Sequence, residues 1–454
     1  MRIQIENVGP LKNAPVEFGD MTVVCGKNNN GKTHLAYVLC ALMSTLRKNF
    51  VVSLKDVHLT ELMSHGEVAI NLVDYALDYI SALQGILPAF VGALPRFMAM
   101  HPDRFKEARV LVDLREKDVV SSICAANPKE AVVTTADLSQ NASIEMTRGA
   151  GSSTFTIAIV NKAGKLPATD VVFRTVSRML TARINENLSS TCFPDVFAIT
   201  CERTGISLFS KELLEVREKD SSYIDTVTPD KFDSVTYQLP IEREILFVRN
   251  LGEIVKRKSY LAAEHPEIIT AFNELTDGTY FYDEGEKRIK FSLQTGGESL
   301  SLQESSSTVR SLAEFSFYLS HCAEKGQLLM IDEPELNLHP ENQRRLARIF
   351  VMLVNAGIRV FMTTHSDYMV RELNAILNIS VLDEAIRKKI CIRHKIEERL
   401  HLDPEAVHFY ILEDGVTKSV GYEEEGCSFG VKSFDDTIEA FDALYNDLRN
   451  ACYE

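Results

Sequence analysis

The spacing of apolar and polar positions changes several times along this chain. Arg2–Asn7 and Val16–Phe18 alternate with a period of two, as half-buried strands do, and Met21–Cys25 is an unbroken apolar run, as in a strand buried on both faces. His34–Leu46 then carries its apolar residues at helical spacing. From about residue 49 to 190 helical spacing dominates: Asp74–Ile86 predicts a core-forming helix and Phe105–Ile123 a further one. Within that stretch Ser143–Arg148 and Thr154–Val160 alternate around Gly149-Ala150-Gly151, which predicts a β-hairpin. Val196–Cys201 is another short apolar run. Residues 206–276 return to helical spacing, with Ile241–Arg257 and Ser259–Leu275 predicted as a helical hairpin. Thr279–Tyr282 and Arg288–Leu293 predict a second β-hairpin. Leu312–Leu319 predicts a helix, and Leu328–Glu333 and Arg359–Thr364 predict strands. The strand His408–Leu412 and the helix Asp435–Leu448 close the chain.

Short apolar strands interleaved with helices predict an α/β fold with a mixed central sheet and a mostly helical insertion. The expected division is 1–48 for the first part of the α/β head, 49–190 for the insertion and 191–210 for a return to the central sheet. Residues 211–278 then make a short helical arm, and 279–454 complete the head.

The chemistry sits where the apolar runs end. Gly26-Lys27-Asn28-Asn29-Asn30-Gly31-Lys32-Thr33 follows one strand and opens one helix, the context in which G-x-x-x-x-G-K-[ST] cradles phosphate. Gly26 and Gly31 let backbone N–H groups approach an anion, and the helix start favours its charge. In this reading Asn28, Asn29, Asn30 and His34 complete the cradle, Lys32 reaches the outer phosphates and the Thr33 hydroxyl ligates magnesium. Asp332 and Glu333 emerge at the end of Leu328-Leu329-Met330-Ile331, where α/β sheets bind ligands. Asp332 is placed to hold magnesium and Glu333 to activate the attacking water. His365, just after Arg359–Thr364, is placed to contact the outer phosphate and that water. The expected ligands are ATP and Mg2+.

In their order and wording these segments resemble the ABC-type ATPase heads that include the SMC-like repair proteins. Ile331-Asp332-Glu333-Pro334-Glu335, Leu338-His339-Pro340-Glu341 and Thr364-His365-Ser366-Asp367-Tyr368 are similar to ATPases of the overcoming-lysogenization-defect family, whose relatives include ATPase subunits of the anti-phage systems Septu and PARIS. Glu202-Arg203-Thr204-Gly205 is similar to a segment of those relatives. The resemblance covers the first 45 residues, roughly 195–210 and roughly 300–440. It implies an ABC-type head in which two subunits sandwich two ATPs, each capped by a serine segment of the other subunit. Here that segment is Ser305–Leu312, with Ser306 and Ser307 as the capping residues and Thr308 where the family has Gly. Arg203 is implied either in a contact to phosphate or partner, or in a buried ion pair with Glu202. The implied function is a sensor or regulatory ATPase that controls a separate nuclease or toxin through ATP-dependent head dimerisation, with phage or nucleic-acid triggers and room for higher oligomers. The alternative is an SMC-like ATPase of DNA repair. A nuclease site of the Toprim kind needs D-x-D, and no D-x-D follows Leu373.

Composition narrows this picture. The chain has 454 residues and a formal charge of −15, which disfavours a broad nucleic-acid surface. Two basic runs, Arg249 with Lys256–Lys258 and Arg387–Lys389 with Arg393–Lys395, are expected as solvated helix faces. The last 34 residues hold nine acids against Lys432 and Arg449. Nine cysteines without a C-x-x-C pair fit reduced thiols in the cytoplasm rather than zinc. The longest uncharged stretch, Tyr79–Pro95, contains Pro88, Pro95, Ser81 and Gln84 and is expected as buried helix, so no membrane partner is expected.

Overall fold

Met21–Cys25 and Leu328–Asp332 are buried at every position, as unbroken apolar runs require. The computed structural model describes residues 1–48, 52–126, 132–139, 142–161, 170–209, 237–423, 428–429 and 443–449. Its strands in chain order begin with β1 (Arg2–Val8), β2 (Leu11–Glu17), β3 (Met21–Cys25) and β4 (Glu67–Asn71). There follow β5 (Arg109–Asp113), β6 (Val132–Ser139), β7 (Ala142–Arg148), β8 (Thr154–Asn161) and β9 (Val196–Ile199). The chain continues with β10 (Gly278–Asp283), β11 (Arg288–Leu293), β12 (Leu300–Ser301), β13 (Leu328–Asp332), β14 (Arg359–Thr364), β15 (Val407–Glu413) and β16 (Val416–Val420). The chain divides into two units. One comprises Met1–Ile3, Leu42–Ala93 and Val110–Asp195; the other comprises Gln4–Ala41, Leu94–Arg109 and Val196–Glu454.

The second unit is built on a mixed sheet in which neighbouring strands run β2-β16-β15-β3-β14-β13-β9. β9, β13, β14, β3 and β15 are parallel, and β16 turns back antiparallel to β15. This is the α/β class with a mixed central sheet expected from the sequence. Parallel strands end on one edge. The register sets Asp332 beside Thr363, Thr363 beside Val24 and Thr364 beside Cys25. Segments far apart in sequence therefore finish at one level, at the carboxyl ends of the strands. The helix Pro340–Asn355 buries Leu346, Phe350 and Leu353, and the helix Asp367–Ser380 buries Met369, Leu373 and Ile376 in the same core. Burying each such side chain contributes roughly 1.5–3 kcal/mol.

The expected hairpin from Thr279 is present as β10 paired antiparallel with β11, and β12 extends it. The expected helical hairpin is more broken than its spacing suggests. Leu239–Arg249 ends at Asn250, which also starts Leu251–Ile254, and Tyr260–Glu264 stops before Pro266 opens Pro266–Thr276. Proline cannot continue a helix but suits its first turn. Residues 211–236 of the expected arm lie outside the described residues. Of the expected closing helix, 443–449 is described and helical.

Helices make up most of the first unit. The expected hairpin is the middle of a four-stranded antiparallel sheet ordered β4-β8-β7-β6. The segment Phe105–Ile123 is not one helix. Arg109–Asp113 alternates, burying Val110 and Val112 as strand β5, and Glu116–Ala125 forms a helix after it. Helix Ala76–Phe97 carries Tyr79, Leu83, Leu87, Phe90 and Leu94 buried at helical spacing, the mark of a core helix. Leu72–Phe97 is also long and apolar enough to cross a membrane by length and composition alone, and with only 28% of its most apolar window buried the expected buried helix is covered along one stripe only. No disulfide forms among the described residues.

Candidate functional site

The loop after β3 depends on backbone shapes that only some residues adopt. Gly26 has φ +153°, and a Cβ there would lie 2.4 Å from the Leu412 carbonyl oxygen; Gly31 has φ +95°. Asn29 takes the left-handed region at φ 65°, which Asn tolerates better than most residues. Asn30 Nδ2 donates to the Leu412 oxygen at 3.1 Å, tying the loop to β15. The helix Lys32–Lys48 begins inside the motif, and Leu35 N donates to Gly31 O at 2.9 Å. Asn28 and Asn29 are exposed. Lys32 is buried and curls back to donate to the carbonyls of Gly26 (3.0 Å) and Lys27 (3.1 Å). Burial pulls its pKa down against the upward pull of Glu333, Asp332 and Glu335. Three acids from another part of the chain therefore face this one amine. His34 is turned elsewhere. A Cβ on Gly9 would come within 2.5 Å of its Nε2, and burial, with Arg104, lowers its pKa to about 4. Its ring is packed on Gly9 as a wall of the loop, so the part of His34 left for the expected cradle is its backbone N–H in the first turn of the helix.

Asp332 ends β13 almost fully buried. Its Oδ1 accepts a short hydrogen bond from the Thr363 hydroxyl, and its Oδ2 is buried without a partner of normal geometry. Burial pushes its pKa up, while the hydroxyls of Thr363 and Thr33 and the Cys201 thiol pull it down. The Thr33 hydroxyl and the Asp332 carboxylate thus meet beside an acceptor atom that nothing in the protein satisfies. A buried orphan oxygen is costly unless a cation completes it, and oxygen donors from Thr and Asp suit magnesium. Among the described residues no group of three or more His, Cys, Asp or Glu makes a metal cage.

Glu333 sits next to it with φ 47°, a left-handed conformation uncommon for a residue other than Gly, Asn or Asp. Its N–H donates to Thr363 O (3.2 Å) and Thr363 Oγ1 (3.1 Å). His365 Nε2 lies 2.9 Å from Glu333 Oε1. Glu335, nearly buried, accepts from the Thr364 hydroxyl at 2.8 Å and from His365 N at 2.7 Å, so it orients the histidine's backbone. The His365 hydrogen bond holds Glu333 below its ordinary value of 4.5, and Glu333 raises His365 above 6.5. The two therefore stabilise each other fully between those ordinary values. The His365 share is lost as pH rises through its raised pKa, and the Glu333 share as pH falls through its depressed one. In the metal-free chain, His365→Asn should lower the melting temperature most between pH 4.5 and 6.5. The gap from the parent should narrow above that window, and at its widest should correspond to about 1 kcal/mol or less. Thermal melts in EDTA across pH measure it, and a pH-independent gap would contradict the pairing.

The serine segment is placed differently. Ser306 caps the helix Ser307–Phe317, its hydroxyl accepting from Val309 N at 3.2 Å, and Thr308 Oγ1 donates to Asn337 O at 2.8 Å. Ser306 and Ser307 are exposed, and among the described residues no hydrogen bond ties either to the phosphate loop. Within one chain the structure therefore joins Lys32, Thr33, Asp332, Glu333 and His365, and leaves the two serines outside that cluster. Arg203 does not make the expected ion pair. Among the described residues it does not pair with Glu202, which takes the Tyr37 hydroxyl at 2.6 Å, and four of its five N–H groups are engaged by the protein. All three guanidinium nitrogens donate to backbone carbonyls. Thr363, Cys201 and Glu335 belong to the site and were not singled out as site residues from sequence. The Thr-Thr pair before His365 was the available signal for the first.

Residues 183–370 match the AAA ATPase domain family, under half of the chain and without the phosphate loop. No curated protein matches the chain. Similar solved structures include an Smc head bound to the C-winged helix domain of ScpA, at 12% identity and TM-score 0.35, covering 94% of this chain and 98% of that one. The SMC head domain of Thermotoga maritima has 9% identity and TM-score 0.30, with 93% and 98% covered. The Pyrococcus furiosus Smc head with an extended coiled coil, bound to the C-terminal domain of ScpA, has 11% identity and TM-score 0.33, with 98% of each covered.

Proposed function

We propose that this chain binds Mg·ATP and hydrolyses it, and that it does so as the regulatory subunit of an anti-phage system, closing on a second copy to control a separate nuclease or toxin. One observation carries the ATPase reading: β14 lies between β3 and β13, so the phosphate loop, Thr33 with Asp332, and Glu333 with His365 share one edge of one sheet. The match of residues 183–370 to an AAA ATPase domain supports it independently, because the matched segment omits the loop.

In this reading the backbone N–H groups of residues 27–32 and the Lys32 amine hold the phosphates, and Thr33 and Asp332 hold magnesium. Magnesium bound there neutralises charge developing on the phosphate oxygens. Glu333, kept ionised by His365, takes the proton from water, and His365 fixes the direction of the accepting oxygen. The exposed Ser306 and Ser307 serve the nucleotide of a second copy. Head closure would then be the signal read by the effector.

Phosphate release by the purified chain tests the first half. Hydrolysis should need Mg2+ and fall at least about a hundredfold in Asp332→Ala; magnesium-independent release, or full activity in that variant, would refute it. The regulatory half is tested by purifying the chain with the product of an adjacent nuclease gene. ATP-dependent release or activation of that nuclease supports it. Hydrolysis stimulated by DNA alone, with no protein partner, would favour a repair ATPase instead.

A further inference from the structure

We infer that Arg203 is a positioning residue that fastens the serine helix Ser307–Phe317 to the backbone of Glu333, so that an event at Ser306 and Ser307 is transmitted to the general base of the same chain. This rests on the proposed role of Glu333 and adds a regulatory link to that site. The side chain of Arg203 is 1% exposed. Its Nε donates to Ser311 O in the serine helix at 2.9 Å. Nη1 donates to Thr200 O and Asp332 O, both at 2.9 Å, and Nη2 to Glu333 O at 2.8 Å. One planar group thus joins the end of β9, the end of β13 and the middle of the helix. Glu333 is held on both sides, its carbonyl by Arg203 and its N–H by Thr363. That double hold keeps a non-glycine residue at φ 47°.

A buried guanidinium needs a buried counter-charge. Glu314, one turn after Ser311 and 1% exposed, supplies it, with Ser207 Oγ donating to its Oε1 at 2.8 Å. Beside it lies Glu244, 2% exposed, which accepts from Thr200 N at 3.2 Å and from the Thr200 hydroxyl. Two touching carboxyls without solvent cannot both ionise. Burial raises both carboxyls above their ordinary range; Arg203 pulls Glu314 back down, and Glu314 pushes Glu244 further up. Arg203, Glu314 and Glu244 form one fully internal cluster between the serine helix and the ends of the strands. A load on the exposed end of a rigid helix shifts Ser311, and Arg203 passes the shift to Glu333. The site that a chain caps and the site that it catalyses are then coupled.

The test uses the full chain. Arg203→Lys keeps the charge but not the fork, and a lysine amine cannot reach all four carbonyls. The expected result is a fall in kcat of at least about thirtyfold, with KM and the affinity for a fluorescent ATP analogue within about threefold. Loss of nucleotide affinity in step with kcat, or an unchanged kcat, would overturn the inference. Glu314→Gln removes the carboxyl that Arg203 acts on, and Glu244→Gln removes the one that accepts from Thr200. Glu244→Gln should keep at least about ten times the kcat of Glu314→Gln, and equal damage would refute the assignment even if Arg203→Lys is not recovered folded. Failure of this inference is separable from failure of the proposed function. If Glu333→Gln stops hydrolysis and Arg203→Lys does not, the linkage is wrong and the base is right; if Glu333→Gln leaves hydrolysis intact, the proposed function itself fails.

Discussion

Glu333→Gln should abolish turnover while leaving nucleotide binding in place, with a fall in kcat of about 10²–10⁴-fold, the range that general-base catalysis supplies. The substitution is nearly isosteric. The amide oxygen can still accept from His365, which lies 2.9 Å away, and the backbone bonds from Arg203 and to Thr363 do not involve the side chain. What is lost is the basic carboxylate that His365 holds below the ordinary range. ATP affinity should therefore stay within about threefold, since a group acting only in the transition state leaves ground-state binding alone. Because spent nucleotide cannot then form, the closed pair of heads should accumulate. Light scattering with Mg·ATP should read twice the 50.9 kDa of one chain. A persistent monomer would count against capping by Ser306 and Ser307; normal turnover would remove Glu333 from the chemistry.

Lys32→Ala should act one step earlier and remove nucleotide binding by at least about a hundredfold, because charge-assisted hydrogen bonds to phosphate carry much of the affinity. The surroundings enlarge this effect. Lys32 is buried opposite Asp332, Glu333 and Glu335, and without its amine those acids would repel an incoming polyphosphate. The fold should survive, since the carbonyls of Gly26 and Lys27 are the groups that lose a donor. Calorimetry with Mg·ATP measures it. Unchanged affinity would mean that phosphate binds elsewhere.

These two residues were readable from sequence because a strand that ends in chemistry advertises itself: an apolar run stops and polar residues of fixed type follow. Met21–Cys25 and Arg359–Thr364 have the same bounds in sequence and structure for that reason. Contacts between distant segments left no such mark. Nothing near Glu67–Asn71 shows that it will pair with Thr154–Ala158. Arg203 follows a strand end much as Asp332 does, yet its guanidinium turns inward to four carbonyls, and burial of that kind follows from tertiary packing alone. Glu244 and Glu314 look like ordinary helical surface residues until Leu239–Arg249 and Ser307–Phe317 bury them side by side. The packing of the His34 ring above Gly9 is likewise absent from any local pattern.

The most direct measurement is a crystal structure with magnesium and a non-hydrolysable ATP analogue. The prediction is a metal about 2.0–2.1 Å from Thr33 Oγ1, with Asp332 Oδ2 turned toward it and the outer phosphate between Lys32 and Glu333. Nucleotide bound away from this edge of the sheet, with no ion beside Thr33 and Asp332, would contradict the account.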